Sequence, residues 1–362
     1  MQFKSHNFVI TLCGALILLM ASRASAASEK VVPFLPGPVV TVSTIPPNGD
    51  VNPYGVVFVP VGFPTGGVLA PGDLLVSNFN NNQNLQGTGT TVIKIRNGVA
   101  SVFFQGQAPL GLSTALKVLK AGYVLVGNFP SADGTCQTAQ DGSILVINSN
   151  GVLLGAITNN QVIAGPWDAT LHDNGSSAQL FIANGLSGTI SRLNLAVGST
   201  GITVQSAITI ASGYKFQCDP ATFVDAPTGL SYGGAGTDTL YVASTLDNAV
   251  FAVPHAGKTT SDQGRGTIIY QDQQHLHGAL AMCWAPNGHL LVSNNDVINS
   301  DPNQPSEIVE FTTSGKFVRE LSVDPNQGGS FGVGQQQNGA TARFAAVDDN
   351  RVTISIWTLN TN

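Results

Sequence analysis

The sequence predicts an all-β protein, a six-bladed β-propeller with four-stranded blades and a ring closed by an N-terminal strand. Three observations predict this fold: an apolar segment recurs six times, β-rich segments follow each copy, and a turn-forming segment precedes each copy. The composition agrees, because the 362 residues include 41 Gly and 19 Pro, 43% are hydrophobic and only 10% are charged. A chain this apolar is not expected to be disordered.

The recurring segment is an apolar run that ends in a small residue followed by a polar one. Its copies end 50, 56, 60, 50 and 54 residues apart, a spacing typical of propeller blades. The copies are residues 74–78, 124–128, 180–184, 240–244 and 290–294, with a weaker sixth copy at 343–348. A period that recurs six times disfavours the alternative, a β-sandwich.

The strands around each copy complete a blade. Two further β-rich runs follow most copies, at 91–95 and 101–104 in the first unit. Segments such as 52–55, Asn-Pro-Tyr-Gly, precede the copies and are interpreted as turns that enter an innermost strand, because Pro fixes φ and Gly permits unusual dihedral angles. The sixth unit ends after 352–356 without a fourth strand. Residues 38–45 are therefore predicted to supply that outer strand and close the ring.

The N-terminal residues 1–26 have the parts of a secretory signal. Lys4 precedes an apolar run at 8–21, and Ala-Ser-Ala at 24–26 fits a cleavage site. Residues 27–362 would then form a single propeller domain that is secreted or periplasmic and free of the membrane, whereas an uncleaved anchor is the alternative. Loss of Lys4 and Arg23 would change the formal charge from −6 to about −8. An acidic chain offers no basic surface for nucleic acid.

Three cysteines follow the predicted signal. Cys136 and Cys218 lie in polar, loop-like stretches, and Cys283 lies in an apolar run. Because export permits disulfides, we expect a bond between Cys136 and Cys218 and a buried, free Cys283. Three free thiols are the alternative.

A candidate binding site lies where the innermost strands begin, because these strands line the central channel of a propeller. The residues expected at the channel mouth are Tyr54, Leu110, Trp167, Thr228, His277 and Phe331, with Asp168 next to Trp167. The predicted ligand-binding residues are Tyr54, Trp167, Asp168, His277 and Phe331. Aromatic faces with few polar groups suit a small apolar, sugar-like or planar ligand. Alternatively, the rings pack together and plug the channel.

Residues 240–253, LYVASTLDNAVFAV, are similar to the strand-loop-strand signature of NHL-repeat and SMP-30-like six-bladed propellers, including Asn248 in the loop. The resemblance implies a propeller fold and a group that includes metal-dependent lactonases, lyases, quinone-binding sugar dehydrogenases and non-enzymatic binding proteins. The lactonases of this group hold a central divalent ion with Glu, Asn and Asp. This chain departs from that pattern, because its only Glu residues are Glu29, Glu307, Glu310 and Glu320.

Two sets of residues are candidate metal ligands. The blade-end residues Asn78, Asn128, Asn184 and Asn294 recur at one position per blade and could surround a calcium ion with amide oxygens, or cap turns. The His275-x-His277 pair would share one face of a strand and could meet a metal, although no third ligand is close in sequence. The Asp-rich segment 294–303 could bind calcium or form an ordinary polar loop.

Two functions follow from these observations. No nucleophile, zinc or phosphate-binding motif is present in the sequence. We therefore predict an exported NHL-like binding or scaffold propeller that presents a small molecule or protein partner site at the channel face. The alternative is a metal-dependent lactonase, hydrolase or lyase whose site lies at the central channel.

Overall fold

The computed structural model describes Phe34 and residues 39–360, and it shows a six-bladed β-propeller. The predicted signal at residues 1–26 lies outside the described residues. Each blade is a four-stranded antiparallel sheet, and helix within the described residues is limited to the short α1 (Gly234–Thr237) and one 3₁₀ turn (Cys136–Thr138). No helix in the described part of the chain is long and apolar enough to cross a bilayer.

The strands follow one another outward from the axis in each blade. The chain enters at β1 (Val39–Ser43) and forms blade 1 from β2 (Val51–Phe58), β3 (Leu74–Asn80), β4 (Thr91–Arg96) and β5 (Val99–Gln105). Blade 2 contains β6 (Leu112–Leu119), β7 (Tyr123–Asn128), β8 (Ser143–Asn148) and β9 (Leu153–Ile157). Blade 3 contains β10 (Pro166–Asp173), β11 (Ser177–Asn184), β12 (Thr189–Gly198) and β13 (Gly201–Ala211).

A separate hairpin precedes blade 4 and consists of β14 (Gln217–Asp219) and β15 (Phe223–Asp225). Blade 4 contains β16 (Pro227–Tyr232), β17 (Thr239–Ser244), β18 (Ala249–Pro254) and β19 (Thr267–Tyr270). Blade 5 contains β20 (Ala279–Trp284), β21 (Leu290–Asn294), β22 (Glu307–Phe311) and β23 (Phe317–Ser322). Blade 6 contains β24 (Ser330–Asn338), β25 (Thr341–Asp348), β26 (Thr353–Asn360) and β1.

The ring closes as predicted, with the N-terminal strand on the outside of the last blade. Strand β1 pairs antiparallel with β26, from Val39 opposite Trp357 to Ser43 opposite Thr353. The pairing joins the two ends of the described chain in one sheet and covers an edge of β26, which would otherwise expose unpaired backbone groups.

The core lies between neighbouring blades, which explains why the recurring segment is apolar on both faces. In β3, Leu74 and Val76 pack into the cluster shared by blades 6 and 1, whereas Leu75 packs into the cluster shared by blades 1 and 2. Successive side chains of a strand point to opposite faces, so a strand between two blades needs an apolar residue at every position.

The segments interpreted as entry turns belong instead to the innermost strands, or directly precede them. Residues 52–55 lie inside β2, whose pairing with β3 shifts register between Pro53 and Val56. Comparable shifts interrupt the start of the other five innermost strands. At two of these positions the glycine serves close approach: a Cβ on Gly332 would overlap the carbonyl oxygen of Tyr54, and one on Gly229 would overlap that of Leu280, whereas Gly165 and Gly278 adopt positive φ.

Candidate functional site

A cavity opens on the axis where the innermost strands begin, and we call it the entrance cavity. It has a volume of about 420 Å³. Blade 1 contributes Asn52, Tyr54 and Asn80, the loop after β21 contributes Asp296, and blade 6 contributes Phe331 and Asp349. The connection between β14 and β15 adds Thr222 to its wall. Among the described residues, no Lys, Arg or His side chain lines the cavity, and its polar lining consists of Asn, Gln, Asp and Thr side chains together with the Tyr54 hydroxyl.

An aromatic cluster lies next to this cavity. The ring of Tyr54 stacks on that of Phe331 with 4.7 Å between centroids, and it meets the ring of Trp167 edge-on at 5.3 Å. Phe79 and Phe223 complete the packing, 5.2 Å and 6.2 Å from the ring of Trp167. Trp167 is only 1% exposed. Tyr54 and Phe331 thus reach the cavity, whereas Trp167 fills the channel.

Asp168 and His277, which the sequence placed together at the mouth, have no common partner. Asp168 is buried, accepts a hydrogen bond from the Leu230 N–H (2.8 Å) and lies 3.6 Å from Lys117 Nζ. Burial raises the pKa of Asp168, and Lys117 opposes that effect. Neither Asp168 nor His277 lines the entrance cavity.

His277 instead holds the Asp-rich loop. Its Nδ1 lies 2.5 Å from the carbonyl oxygen of Asn299, and its Nε2 lies 3.1 Å from that of Gln274. Carbonyl oxygens only accept hydrogen bonds, so both ring nitrogens donate when the imidazole is protonated. Burial disfavours that charge, but the Asn299 bond and the carboxylate of Glu307 raise the pKa of His277. His275 points to a different partner, with its Nδ1 2.8 Å from Asp272 Oδ2.

The loop held by His277 carries Asp296 to the entrance cavity. Asp296 Oδ2 accepts hydrogen bonds from the backbone N–H of Ser306 (2.9 Å) and of Gly328 (2.8 Å). Its Oδ1 has no hydrogen-bond partner among the described residues. The same is true of Asn52 Oδ1 and Asn80 Oδ1. Asn52, Asn80 and Asp296 are 8%, 2% and 8% exposed, so three buried oxygens around one cavity lack donors.

Carboxyl groups near the entrance cavity hold their protons unusually well. Burial and the neighbouring Asp348 raise the pKa of Asp349 to about 7. Burial and repulsion from Asp296 raise the pKa of Glu307 to about 7. Burial also raises the pKa of Asp296, which the N–H groups of Gly328 and Ser306 lower only in part. The charge of His277 lowers the pKa values of Asp296 and Glu307 but compensates their burial only in part.

The four blade-end asparagines do not line the entrance cavity. Their amides bind the backbone of the segments that precede the innermost strands of their blades: Asn128 Oδ1 accepts the N–H of Gly111, and Asn184 Oδ1 accepts that of Ala164. Asn78 Nδ2 donates to the carbonyl oxygen of Thr44, and Asn294 Nδ2 donates to that of His275. These contacts favour a structural role, and a cation held by the four amides stays a prediction without support from the geometry.

The described residues include three cysteines, of which two form a disulfide. Cys136 and Cys218 form a disulfide with 5.4 Å between Cα atoms, and Cys283 is free. Disulfides are typical of oxidising compartments, in agreement with an extracellular location. Cleavage of a signal stays a prediction. Burial, with the nearby Asp168 carboxylate, raises the pKa of the Cys283 thiol to about 12, so this thiol is a poor nucleophile.

Some residues of the entrance cavity were missed in the sequence. Asn52 lies in the Asn-Pro-Tyr-Gly segment, which the sequence pattern indicates as a turn. It adopts a positive φ of 58° that Asn tolerates better than most residues. Asn80 lies two residues beyond a copy of the repeat, and Asp349 one residue beyond another. Asn80 and Asp349 share a signal, a polar residue at or directly after the end of the second strand of a blade.

The fold and the site define a six-bladed propeller with an oxygen-lined cavity at one end of its axis. Virginiamycin B lyase from Staphylococcus aureus has a similar structure, with 13% identity over 89% of this chain and 99% of the other, at a TM-score of 0.52. Regucalcin, a calcium-binding protein from Agrobacterium tumefaciens, is 14% identical over 87% and 92% of the two chains (TM-score 0.51).

A third solved structure, assigned as a gluconolactonase, is 11% identical over 90% and 94% of the two chains, with a TM-score of 0.51. No family model and no curated protein sequence matches this chain. At these identities the comparisons show a shared fold. They agree with the predicted resemblance to gluconolactonase and SMP-30-like propellers, while the NHL resemblance stays a prediction.

Proposed function

We propose that this protein is a propeller enzyme of the hydrolase or lyase class that binds a divalent cation in the entrance cavity. The observation that carries the proposal is the trio of buried, unpartnered oxygens of Asn52, Asn80 and Asp296 around one cavity. The solved structures of similar fold include a lyase, a calcium-binding protein and a gluconolactonase, which supports this class over a pure scaffold.

The donor set fits a hard cation. Buried polar atoms without hydrogen bonds are costly, so three of them around one cavity indicate a missing partner. Amide and carboxylate oxygens are the ligands that calcium prefers, and the remaining positions of its shell are open to water or substrate. Within the described residues, no group of three or more His, Cys, Asp or Glu side chains is placed to hold a metal, so amide oxygens have to contribute.

Individual residues of the entrance cavity would then have separate roles in the reaction. A bound cation would polarise an oxygen of the substrate. Asp349, with a pKa of about 7, can donate or accept a proton near neutral pH. The stacked rings of Tyr54 and Phe331 offer an apolar surface for the carbon skeleton. A small, oxygen-rich molecule with one apolar face, such as a sugar-derived lactone, is the substrate class that this surface fits.

Replacement of Asp296 tests the cation site. We expect Asp296→Asn to weaken calcium binding at least about tenfold, because it removes the only carboxylate among the three unpartnered oxygens while preserving shape. In wild-type protein that has first been stripped of metal with a chelator, calcium added back at 100 times its Kd should raise the free energy of unfolding by about 2.7 kcal/mol. Titration calorimetry and thermal melts with and without calcium measure both effects.

Asp301→Asn is the matched control for that experiment. Asp301 lies in the same loop, but its Oδ1 accepts hydrogen bonds from Asn303 N and Nδ2 and it does not line the cavity. The control should bind calcium like the wild type. Equal affinities in the Asp296→Asn and Asp301→Asn variants, or no binding by the wild type, would contradict the cation site.

Replacement of Asp349 separates an enzyme from a binding module. We expect Asp349→Asn to lower kcat on aldonolactones or related esters by about 100-fold or more, because general acid–base groups contribute on that scale. Its calcium affinity should stay within about threefold of the wild type, since its carboxyl is not one of the three buried oxygens that define the proposed cation site. Calcium binding without turnover of any lactone, ester or eliminable substrate would favour the binding module predicted from the sequence.

A further inference from the structure

A second cavity lies on the axis, farther along the innermost strands, and we call it the axial cavity. Its volume is about 320 Å³, near the lower end of small-molecule sites. All six innermost strands line it. In β2 the entrance cavity is lined by Asn52 and Tyr54, whereas the axial cavity is lined by Val57 and Phe58. The two cavities are therefore distinct. In β10, Trp167 fills the channel between the entrance cavity and the later residues of the strand, which line the axial cavity.

The axial cavity contains an ammonium group with spare hydrogen-bonding capacity. Lys117 Nζ lies 3.6 Å from Asp168 Oδ1, beyond the usual length of a hydrogen bond. Asp168 directs its other oxygen to the Leu230 N–H. The Lys117 side chain is 21% exposed and lines the cavity. An ammonium has three N–H donors, so donors remain for a ligand after the interaction with Asp168.

A second donor lines the same cavity. Gln335 Nε2 is buried and has no acceptor among the described residues. Two groups with N–H donors to spare favour a ligand that accepts at two oxygens, as a carboxylate does. Lys120 and Asp173 also line the cavity, so two lysines lie near two carboxylates, Asp168 and Asp173, and a singly charged anion fits better than a dianionic phosphate.

Apart from Lys120, Thr170, Asp173 and Ser231, the rest of the wall is apolar. Val57, Leu171, Met282, Trp284 and Val333 line the cavity. The indole N–H of Trp284 donates to the carbonyl oxygen of Tyr232 at 3.0 Å, so this ring can offer only its carbon surface to a ligand. Such a wall favours a compact hydrocarbon body attached to the charged group.

We propose that the axial cavity binds a small carboxylate with a compact apolar body, held by Lys117 Nζ and Gln335 Nε2. This site is independent of the proposed function at the entrance cavity. It gives the propeller a binding site at each end of its channel, one rich in acceptors and one that supplies donors.

The test uses the full mature protein with phenylacetate as the probe and the neutral 2-phenylethanol as its control. Calorimetry should detect phenylacetate, and 2-phenylethanol should bind at least about tenfold more weakly, because charge-assisted hydrogen bonds are roughly twice as strong as neutral ones. Lys117→Met should abolish detectable binding. Gln335→Glu retains the shape of the side chain, replaces the donor by a carboxylate and should weaken binding about tenfold, so the test does not depend on the folding of the lysine variant.

Cys283 reports where the probe binds. It is the free cysteine of the described chain and it lines the axial cavity. Although the raised pKa of this thiol makes its reaction with a small thiosulfonate slow, phenylacetate should slow the reaction further, as measured by peptide mapping, and chelator should leave that protection unchanged. Lys258→Met is the control, since that side chain is 75% exposed and lies outside the cavity.

Three results would overturn the axial site. One is equal affinity for phenylacetate and 2-phenylethanol. Another is binding that Gln335→Glu leaves unchanged or that fails to protect Cys283. The third is no binding of phenylacetate, benzoate or hexanoate at millimolar concentration. None of these outcomes bears on calcium in the entrance cavity, so the two proposals fail separately.

Discussion

Removal of the Cys136–Cys218 disulfide is expected to lower the free energy of unfolding by about 4 kcal/mol. The bond joins residues 82 positions apart. A crosslink over a loop of this length restricts the unfolded chain strongly, and chain-entropy estimates give about 4–5 kcal/mol. Few single changes in a protein of this size reach that magnitude. The Cys136→Ser/Cys218→Ser double variant is the form to compare with the wild type.

The same bond holds one wall of the entrance cavity, so its loss should also affect ligand binding. Cys218 lies in β14 and Phe223 in β15 of the hairpin that precedes blade 4. The ring of Phe223 packs on those of Phe79 (5.3 Å) and Phe129 (5.2 Å), while Thr222 lines the cavity. A hairpin released from blade 2 would order again only at a cost, and that cost would appear as weaker calcium binding.

Urea unfolding of the oxidised wild type and the double variant measures the stability loss, and calcium titration of both measures the binding loss. Cys283→Ser is the matched control, because it removes a sulfur that forms no crosslink. A double variant as stable as the Cys283→Ser control would contradict the structural role of the disulfide. A less stable variant with unchanged calcium affinity would contradict its role at the cavity.

The fold was largely predictable from the sequence because the same physical problem recurs in every blade. A strand between two blades must be apolar on both faces, and that requirement produces the repeat ending at Asn78 and Asn128. The missing fourth strand of the last blade likewise identified the role of β1. The boundaries of the innermost strands were not predictable in the same way. Gly332 there serves the close approach of Tyr54, and a contact between blades leaves no local pattern.

The site was predictable only in part. Tyr54 and Phe331 were identified because their position in the blade places them on the axis, and the loop of Asp296 was identified by its composition. Asn52 and Asn80 were not, because their role depends on which buried oxygens find donors. That property follows from packing between blades 1, 5 and 6 and from the conformation of the loop that His277 holds. The lack of donors for these oxygens cannot be deduced from a single sequence.

A further expected result is that the cation-free protein loses stability as the pH rises from about 5 to about 8. The folded-state pKa values of Asp349 and Glu307 are raised to about 7, above the unfolded-state values near 3.8 and 4.5. Between these limits the folded state binds more protons than the unfolded state, so the stabilisation is present at low pH and disappears as the pH rises through the folded-state pKa. The pKa of His277, raised above its ordinary value of 6.5, acts in the same direction.

Carboxyl groups whose pKa is lowered in the folded state change stability in the opposite direction, but they do so at lower pH. The pKa of Asp272 is lowered to about 2 by hydrogen bonds from Tyr270 and His275 that outweigh burial, so this group contributes only in acid. A pKa difference of one between the folded and unfolded states corresponds to about 1.4 kcal/mol, and the loss between pH 5 and 8 should therefore amount to a few kcal/mol. Thermal melts in chelator across this range measure it. Stability that rises with pH would contradict the assignment.

Calcium should flatten this pH profile, and that effect links the electrostatics to the proposed function. A cation at the entrance cavity favours the ionised form of Asp296 and so offsets the destabilising charge. Glu307→Gln should flatten the profile without calcium, since it removes one titrating group while preserving its size, whereas Asp301→Asn should not. If saturating calcium leaves the slope of stability against pH unchanged, the cation binds outside this group of carboxylates. A slope abolished by calcium but retained in Asp296→Asn would place the cation on the Asp296 carboxylate, because only that ligand couples it to the titrating group.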